Sequence, residues 1–268
     1  MILLSSPRYV PYFQNRGKLF EAGRVVALEL QYGERVSESQ PALVESDYPP
    51  ALLTKETTRF ITNLAQTRDQ LWLIVDGSPE LWWSNRPVEH YLSSLYYPIR
   101  TIQTGPLTRL IEFSTIPAPD PFAFRGPALL TDLLYDENLH LAGITLPRGD
   151  TFAPGEVVPV SLNWTLDRDV EARYTVALYL RDSAGWQVVQ SDLHADERVL
   201  PDRWLAAGPA IWDHRGLRLP EGLPSGDYAL WVKVYSLEPD GSIRDLPVSG
   251  AATLDGVIGV LPVTISVR

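Results

Sequence analysis

The chain has 268 residues, which fits one large domain or two ordinary ones and is ample for a hydrophobic core. It contains no cysteine, which excludes disulfides, thiolate metal sites and a cysteine nucleophile. Its formal net charge of -10 runs against nucleic-acid binding, which needs phosphates neutralised, and 23 prolines beside one methionine favour strands and turns over a helical bundle.

Taken along the chain, Met1-Ile2-Leu3-Leu4 is too short an apolar stretch for a signal peptide. The longest apolar runs, Leu71–Val75 and Val257–Val263, have strand length and fall far short of a membrane span. Val25–Leu30 reads as a strand, and Leu71–Val75 as a fully buried one ending at Asp76-Gly77. Between them, Thr54–Ala65 predicts a helix with Phe60, Ile61 and Leu64 on one face. A second helix is expected from Pro87, with Val88, Tyr91, Leu92 and Leu95 at helical spacing. Strands near Ile99–Gln103 and Leu107–Phe113 follow. This alternation predicts a small α/β layer.

The stretch Ser114–Pro127 carries Pro117, Pro119, Pro121 and Pro127, a composition that favours an extended connection. Beyond it the pattern changes to period two. Val158, Val160, Leu162, Trp164 and Leu166 alternate with polar or small residues. So do Tyr174, Val176, Leu178 and Leu180, then Tyr228, Leu230, Val232 and Val234, then Leu261, Val263, Ile265 and Val267. Leu139–Leu146, Trp186–Gln190 and Gly216–Leu219 complete the set, with turns at Pro154-Gly155, Ala184-Gly185, Pro224-Ser225-Gly226 and Asp240-Gly241. The expected organisation is a two-domain α+β chain: a small α/β domain over residues 1–116, a proline-rich linker over 117–130, and an all-β sandwich over 131–268, Ig-like or jelly-roll-like. Most of the acidic excess falls in this second half.

Searching for chemistry, we find His90, His140, His194 and His214 without HxH or HExxH spacing. The densest polar group is Asp192, His194, Asp196 and Glu197, joined later by Asp213 and His214; it reads first as a solvated loop and second as a metal or acid–base site. Asp76-Gly77-Ser78-Pro79 is not a nucleophile elbow, and no glycine-rich phosphate loop is present. No metal and no cofactor are expected. Paired carboxylates for glycoside hydrolysis leave no trace in spacing.

Aromatic residues are the remaining lead. If Tyr228, Leu230, Val232 and Val234 form a core face, then Trp231, Lys233 and Tyr235 share the opposite face. The same parity places Tyr179 and Arg181 opposite the core on strand 174–182. Such a face serves either as a carbohydrate platform, because a pyranose presents an apolar C–H surface to a ring, or as packing beneath the first domain, the commoner fate of large aromatics. Trp82-Trp83 is a similar case, and Trp186, Trp204 and Trp212 are expected to pack against a sandwich end. Asn163-Trp164-Thr165 matches a glycosylation sequon inside a core strand.

The order of motifs in the second half carries a resemblance. It runs Pro154-Gly155-Glu156, Leu162-Asn163-Trp164, Tyr174–Leu180, Gly185-Trp186, Gln190-Ser191-Asp192, Trp204, Trp212-Asp213, Leu217-Arg218-Leu219-Pro220, Pro224–Tyr228 and Val234-Tyr235. This succession resembles the C-terminal β-sandwich of bacterial multi-pass membrane glycosyltransferases, which are themselves similar to the dolichyl-phosphate-mannose protein mannosyltransferases and use polyprenyl-phosphate sugars. Leu71–Val75 and Arg109–Phe113 resemble strands of the segment that follows their last membrane helix. The resemblance implies an extracytoplasmic tail without the catalytic residues, which in that family lie between early membrane helices. Near Trp204, Ala206-Ala207-Gly208-Pro209 departs from the family pattern, which usually has an acidic residue there.

The reading that follows is a non-catalytic accessory module outside the cytoplasmic membrane, positioning a glycan or protein acceptor or bracing a membrane-embedded glycosyltransferase. Its candidate ligand-binding residues are Trp231, Tyr235, Tyr179, Lys233 and Arg181. The alternatives are a free-standing, secreted carbohydrate-binding or adhesion protein, and a soluble glycoside hydrolase.

Overall fold

The computed structural model describes residues 2–4, 25–27, 30–32, 51–76, 87–105, 108–119, 126–171, 174–192, 203–204, 210–238 and 240–268. Within them the chain is largely β-strand, with two helices. It divides into two compact units, Met1–Ile116 and Pro117–Arg268.

In the first unit the strands are β1 (Ile2–Leu4), β2 (Val25–Ala27), β3 (Leu30–Tyr32), β4 (Ala51–Leu53), β5 (Gln70–Asp76), β6 (Tyr97–Gly105) and β7 (Thr108–Ser114). The helices are α1 (Lys55–Ala65) and α2 (Pro87–Leu95). One sheet has the order β2-β1-β5-β7-β6, and β3 pairs with β4 separately. The expected strand at Val25–Leu30 is thus divided: Val25–Ala27 runs parallel to β1, whereas Leu30 begins the separate hairpin. The β1, β2 and β5 strands are mutually parallel, and β7 turns antiparallel against β5.

Thr54 caps α1, its hydroxyl accepting a hydrogen bond from the Thr57 amide at 3.0 Å. The helix buries Thr57, Ile61 and Ala65, a single stripe at four-residue spacing. The predicted stripe is rotated from this one, and Phe60 is 40% exposed. On α2, Val88 and Leu92 are buried as the spacing predicts. They join Leu3, Leu71, Leu73, Val75, Ile111 and Phe113 in one core, so the helices pack on the odd-numbered side of β5 and β7. On that side Arg109 is also buried, with its Nη2 donating to Glu89 of α2 at 3.1 Å.

The second unit holds β8 (Leu129–Tyr135), β9 (Leu139–Thr145), β10 (Thr151–Phe152), β11 (Val157–Leu166), β12 (Val170–Glu171), β13 (Tyr174–Arg181) and β14 (Gln187–Asp192). It continues with β15 (Arg203–Trp204), β16 (Ile211–Arg218), β17 (Gly226–Leu237), β18 (Ile243–Asp245), β19 (Val248–Ser249), β20 (Thr253–Leu254) and β21 (Ile258–Val267). Strand β8 begins inside the stretch expected to be linker, at Leu129. One sheet runs β16-β11-β9-β8-β19; the other runs β10-β21-β17-β13-β14, with β18 and β20 joined at its side.

Both sheets feed one core, because each long strand turns its alternate apolar residues the same way. Val158, Val160, Leu162 and Trp164 come from β11; Val176, Leu178 and Leu180 from β13; Leu230, Val232 and Val234 from β17. Each such side chain contributes ~1.5–3 kcal/mol by leaving water. Trp164 meets Tyr135 edge-on, ring centroids 5.9 Å apart, and the Tyr135 hydroxyl crosses the core to donate to the Val232 carbonyl at 3.0 Å. Tyr135 and Leu133 press against Gly259, where a Cβ would collide with both side chains. The turns at Gly155, Gly185 and Gly241 have φ near +80°, a region where glycine carries no steric penalty.

Candidate functional site

In the seven-stranded sheet the neighbouring strands β13 and β17 run antiparallel in a register that sets Tyr179 opposite Trp231, Ala177 opposite Lys233 and Thr175 opposite Tyr235. Their even-numbered residues enter the core. Period two then turns Tyr179, Arg181, Trp231, Lys233 and Tyr235 to the sheet's other side, as their parity predicts. The next strand extends the row, Gln190 pairing with Tyr179 and Asp192 with Ala177.

Three of the five candidates form one stack. The Arg181 guanidinium carbon lies 4.5 Å from the Trp231 ring centroid and 5.5 Å from that of Tyr179. Cation–π attraction at this distance is worth ~0.5–2 kcal/mol and orients all three groups. Arg181 Nη1 donates to the Gly185 carbonyl at 2.7 Å, which ties the stack to the β13–β14 turn. That turn is itself built by Asp182, whose Oδ1 accepts from the amides of Ala184 and Trp186. Tyr179, Arg181 and Trp231 are all half-buried, so part of the stack remains accessible.

The other two candidates have different surroundings. Lys233 Nζ is held by Asp245 Oδ2 at 2.7 Å. Tyr235 is buried at 8% exposure, and its hydroxyl donates to Asp192 Oδ1 at 2.8 Å. Asp192 Oδ2 accepts from Gln190 Nε2 at 2.9 Å, and Gln190 Oε1 accepts from Gln187 Nε2 at 2.8 Å. Burial, and then the bond to Asp192, push the Tyr235 hydroxyl far above the ordinary tyrosine range. Burial followed by the Asp192 charge raises Tyr179 as well. Both phenols are therefore neutral at physiological pH. Tyr235 anchors the polar chain beneath the open surface and offers no ring to it.

Of the sequence-predicted polar cluster, Asp192, Asp213 and His214 lie among the described residues. Asp192 belongs to the chain just described, whereas Asp213 is bound bidentately by Arg215, at 2.6 and 2.9 Å, and both are 1% exposed. No group of three or more His, Asp or Glu residues able to hold a metal occurs among the described residues. His194, Asp196, Glu197, Trp82, Trp83, Ala206, Ala207, Gly208 and Pro209 lie outside the described residues. The Trp204 side chain also lies outside them.

One pair escaped sequence reading. Ser161 Oγ and His214 Nδ1 lie 2.8 Å apart on the paired strands β11 and β16, on the side away from the core. A serine hydroxyl on an imidazole is a nucleophile–base arrangement in type. Here Ser161 is 0% and His214 3% exposed, and Trp212 stacks on the imidazole at 6.2 Å between ring centroids. Burial lowers the His214 pKa from 6.5 to about 4, against the opposing pull of Asp213. The pair is buried, unlike a nucleophile open to substrate. Only the register Ser161↔His214 would have revealed it, and nothing in the spacing of fifty-three residues predicts that register.

Two tryptophans depart from expectation. Trp186, expected to pack against a sandwich end, is 75% exposed at the β13–β14 turn. Trp212, expected near a turn, sits within β16. Asn163 of the sequon is 4% exposed, and the folded strand does not offer it for modification.

No family model matches the chain, and no curated protein matches it. Among solved structures it is similar to the crystal structure of the C-terminal domain of wzt. The identity is 11% and the TM-score 0.37, over 53% of this chain and 82% of that one. A likeness of this degree supports no functional conclusion.

Proposed function

We propose that the protein is a non-catalytic, extracytoplasmic accessory module of a polyprenyl-phosphate-sugar-dependent membrane glycosyltransferase, and that its second unit binds glycan on the outward side of the seven-stranded sheet. The observation that carries the glycan part is the half-exposed stack of Arg181 on Trp231 and Tyr179. Aromatic side chains held rigid before a ligand arrives lose little entropy on binding, and their faces match the C–H surface of a pyranose. The buried state of Ser161 and His214 favours binding over hydrolysis as the second unit's role. The link to a membrane glycosyltransferase rests on the ordered motifs from Pro154 to Tyr235.

The same proposal reads the second unit as an Ig-like or jelly-roll-like sandwich. Supporting it, the Tyr228 hydroxyl donates to the Pro224 carbonyl four residues upstream at 2.7 Å, the geometry of a tyrosine corner, and Trp164 is buried at the middle of the core.

The experiment is a titration of the intact protein with a panel of bacterial cell-surface glycans, followed by calorimetry. At least one glycan is expected to bind, and Trp231→Ala is expected to weaken it tenfold or more. Absence of binding across the panel would leave only a bracing role.

A further inference from the structure

We infer that the ligand of this surface is an acidic saccharide carrying a ring carboxylate, such as a hexuronate, and that Arg181 is the residue that selects it; this rests on the glycan-platform reading above. The other charged groups on this surface are hydrogen-bonded or ion-paired. Lys233 is held by Asp245, and Asp192 accepts one hydrogen bond on each oxygen, from Tyr235 and Gln190. Asp182 is committed to the turn amides. Arg181 is the exception: its contacts are two aromatic rings and one backbone carbonyl, with no carboxylate among them.

The donors of Arg181 are unequally engaged. Nη1 is bonded to Gly185, and Nε is buried without a partner. Nη2 is neither hydrogen-bonded nor among the buried unpaired atoms, so it reaches solvent. With the guanidinium carbon 4.5 Å from the Trp231 centroid and 5.5 Å from that of Tyr179, Nη2 is a donor left for a ligand beside these rings. The carboxylate of a hexuronate leaves C5 near the mean plane of its pyranose. A pyranose stacked beside these rings can set that carboxylate within reach of Nη2. A neutral hexose places a hydroxymethyl group there, which leaves the charge unmatched. The protein's net charge of -10 opposes polyanions at long range, but salt screens that repulsion beyond ~8–10 Å, whereas a contact at hydrogen-bond distance persists.

The test compares tetragalacturonate with its carboxyl-reduced, neutral counterpart by calorimetry on the intact protein in ~0.15 M salt. A charge-assisted hydrogen bond predicts a preference for the acid of roughly ten- to a hundredfold. Arg181→Gln is expected to bring the acid's affinity down to that of the neutral sugar. Arg181→Lys, which keeps the charge on a point-like ammonium, is expected to recover part of the difference. Near-ultraviolet circular dichroism of each variant verifies its fold. Equal or tighter binding of the neutral sugar overturns the acidic assignment and leaves the platform standing. Binding of neither probe, while another glycan of the panel binds, has the same meaning. Failure of every glycan, with Trp231→Ala indistinguishable from the parent, removes the platform and this inference with it.

Discussion

The outward sides of the two sheets in the second unit carry similar residue types in opposite states. On the five-stranded sheet, Ser161, Asn163 and His214 are buried and Trp212 lies stacked on the imidazole. On the seven-stranded sheet, Tyr179, Arg181 and Trp231 are stacked and half-open. A histidine beside a serine has more chemical capacity than an arginine on a tryptophan, yet it is the second group that solvent reaches. Enclosure converts a reactive pair into a structural one, and access turns a structural stack into a surface for recognition. Residue type alone does not separate the two cases.

The five-stranded sheet is where stability should respond most. Strand β16 turns Asp213 and Arg215 inward and His214 outward, all buried. Asp213→Ala would leave the Arg215 guanidinium buried at 1% exposure without its counter-charge, and a loss of ~3–5 kcal/mol is expected by urea denaturation. A loss under 1 kcal/mol would mean that Arg215 finds water once its partner is gone.

His214 offers a pH measurement of the same enclosure. Its folded pKa of about 4 lies below the unfolded 6.5, so between those values the unfolded chain binds more protons and stability rises with pH. The stabilisation is complete above pH 6.5 and is lost as pH falls toward 4, by about 3 kcal/mol in total. Carboxylates also titrate in that window, so the comparison is with His214→Gln, whose stability curve should lack this component. Matching curves would show that the imidazole is hydrated in the folded protein.

On the open side, mutations should affect binding more than folding. Arg181→Gln removes cation–π contacts and one hydrogen bond to Gly185, and about 1 kcal/mol of stability is expected to go with them. A loss as large as that of Asp213→Ala would make the stack part of the core's support. The smallest effect is expected at Trp186. With 75% of its surface already in water, Trp186→Ala should shift stability by no more than ~0.5 kcal/mol. Any larger change in glycan affinity would then assign the exposed ring to recognition.

Several elements were readable along the chain. Helix α2 begins at Pro87 as its sequence predicts, and the strand pattern of β11, β13 and β17 places the same residues in the core that period two selects. Strand β8 was missed because Leu129-Leu130-Thr131-Asp132-Leu133-Leu134 does not alternate; its pairing with β9 shifts register between Leu130 and Leu133, so the apolar residues do not keep one parity. Phe60 was misplaced because three apolar residues within one helical turn define a face only loosely. The buried stripe includes Thr57, whose hydroxyl is satisfied at the cap by Thr54.

The candidate site divides in the same way. Parity alone put Tyr179, Arg181, Trp231, Lys233 and Tyr235 on one side of one sheet, because successive side chains in a strand must alternate. The composition likewise removed thiolate chemistry, and the charge argued against nucleic acid, without any coordinates. Tertiary structure decided the rest: that Arg181 bridges two strands through their rings, that Asp245 holds Lys233, and that Asp192 binds the Tyr235 hydroxyl. It also decided that Ser161 meets His214 in a buried position. Alternation is local and survives in any sequence window. Pairing register and burial join residues dozens of positions apart, and they exist only once the strands have chosen their neighbours.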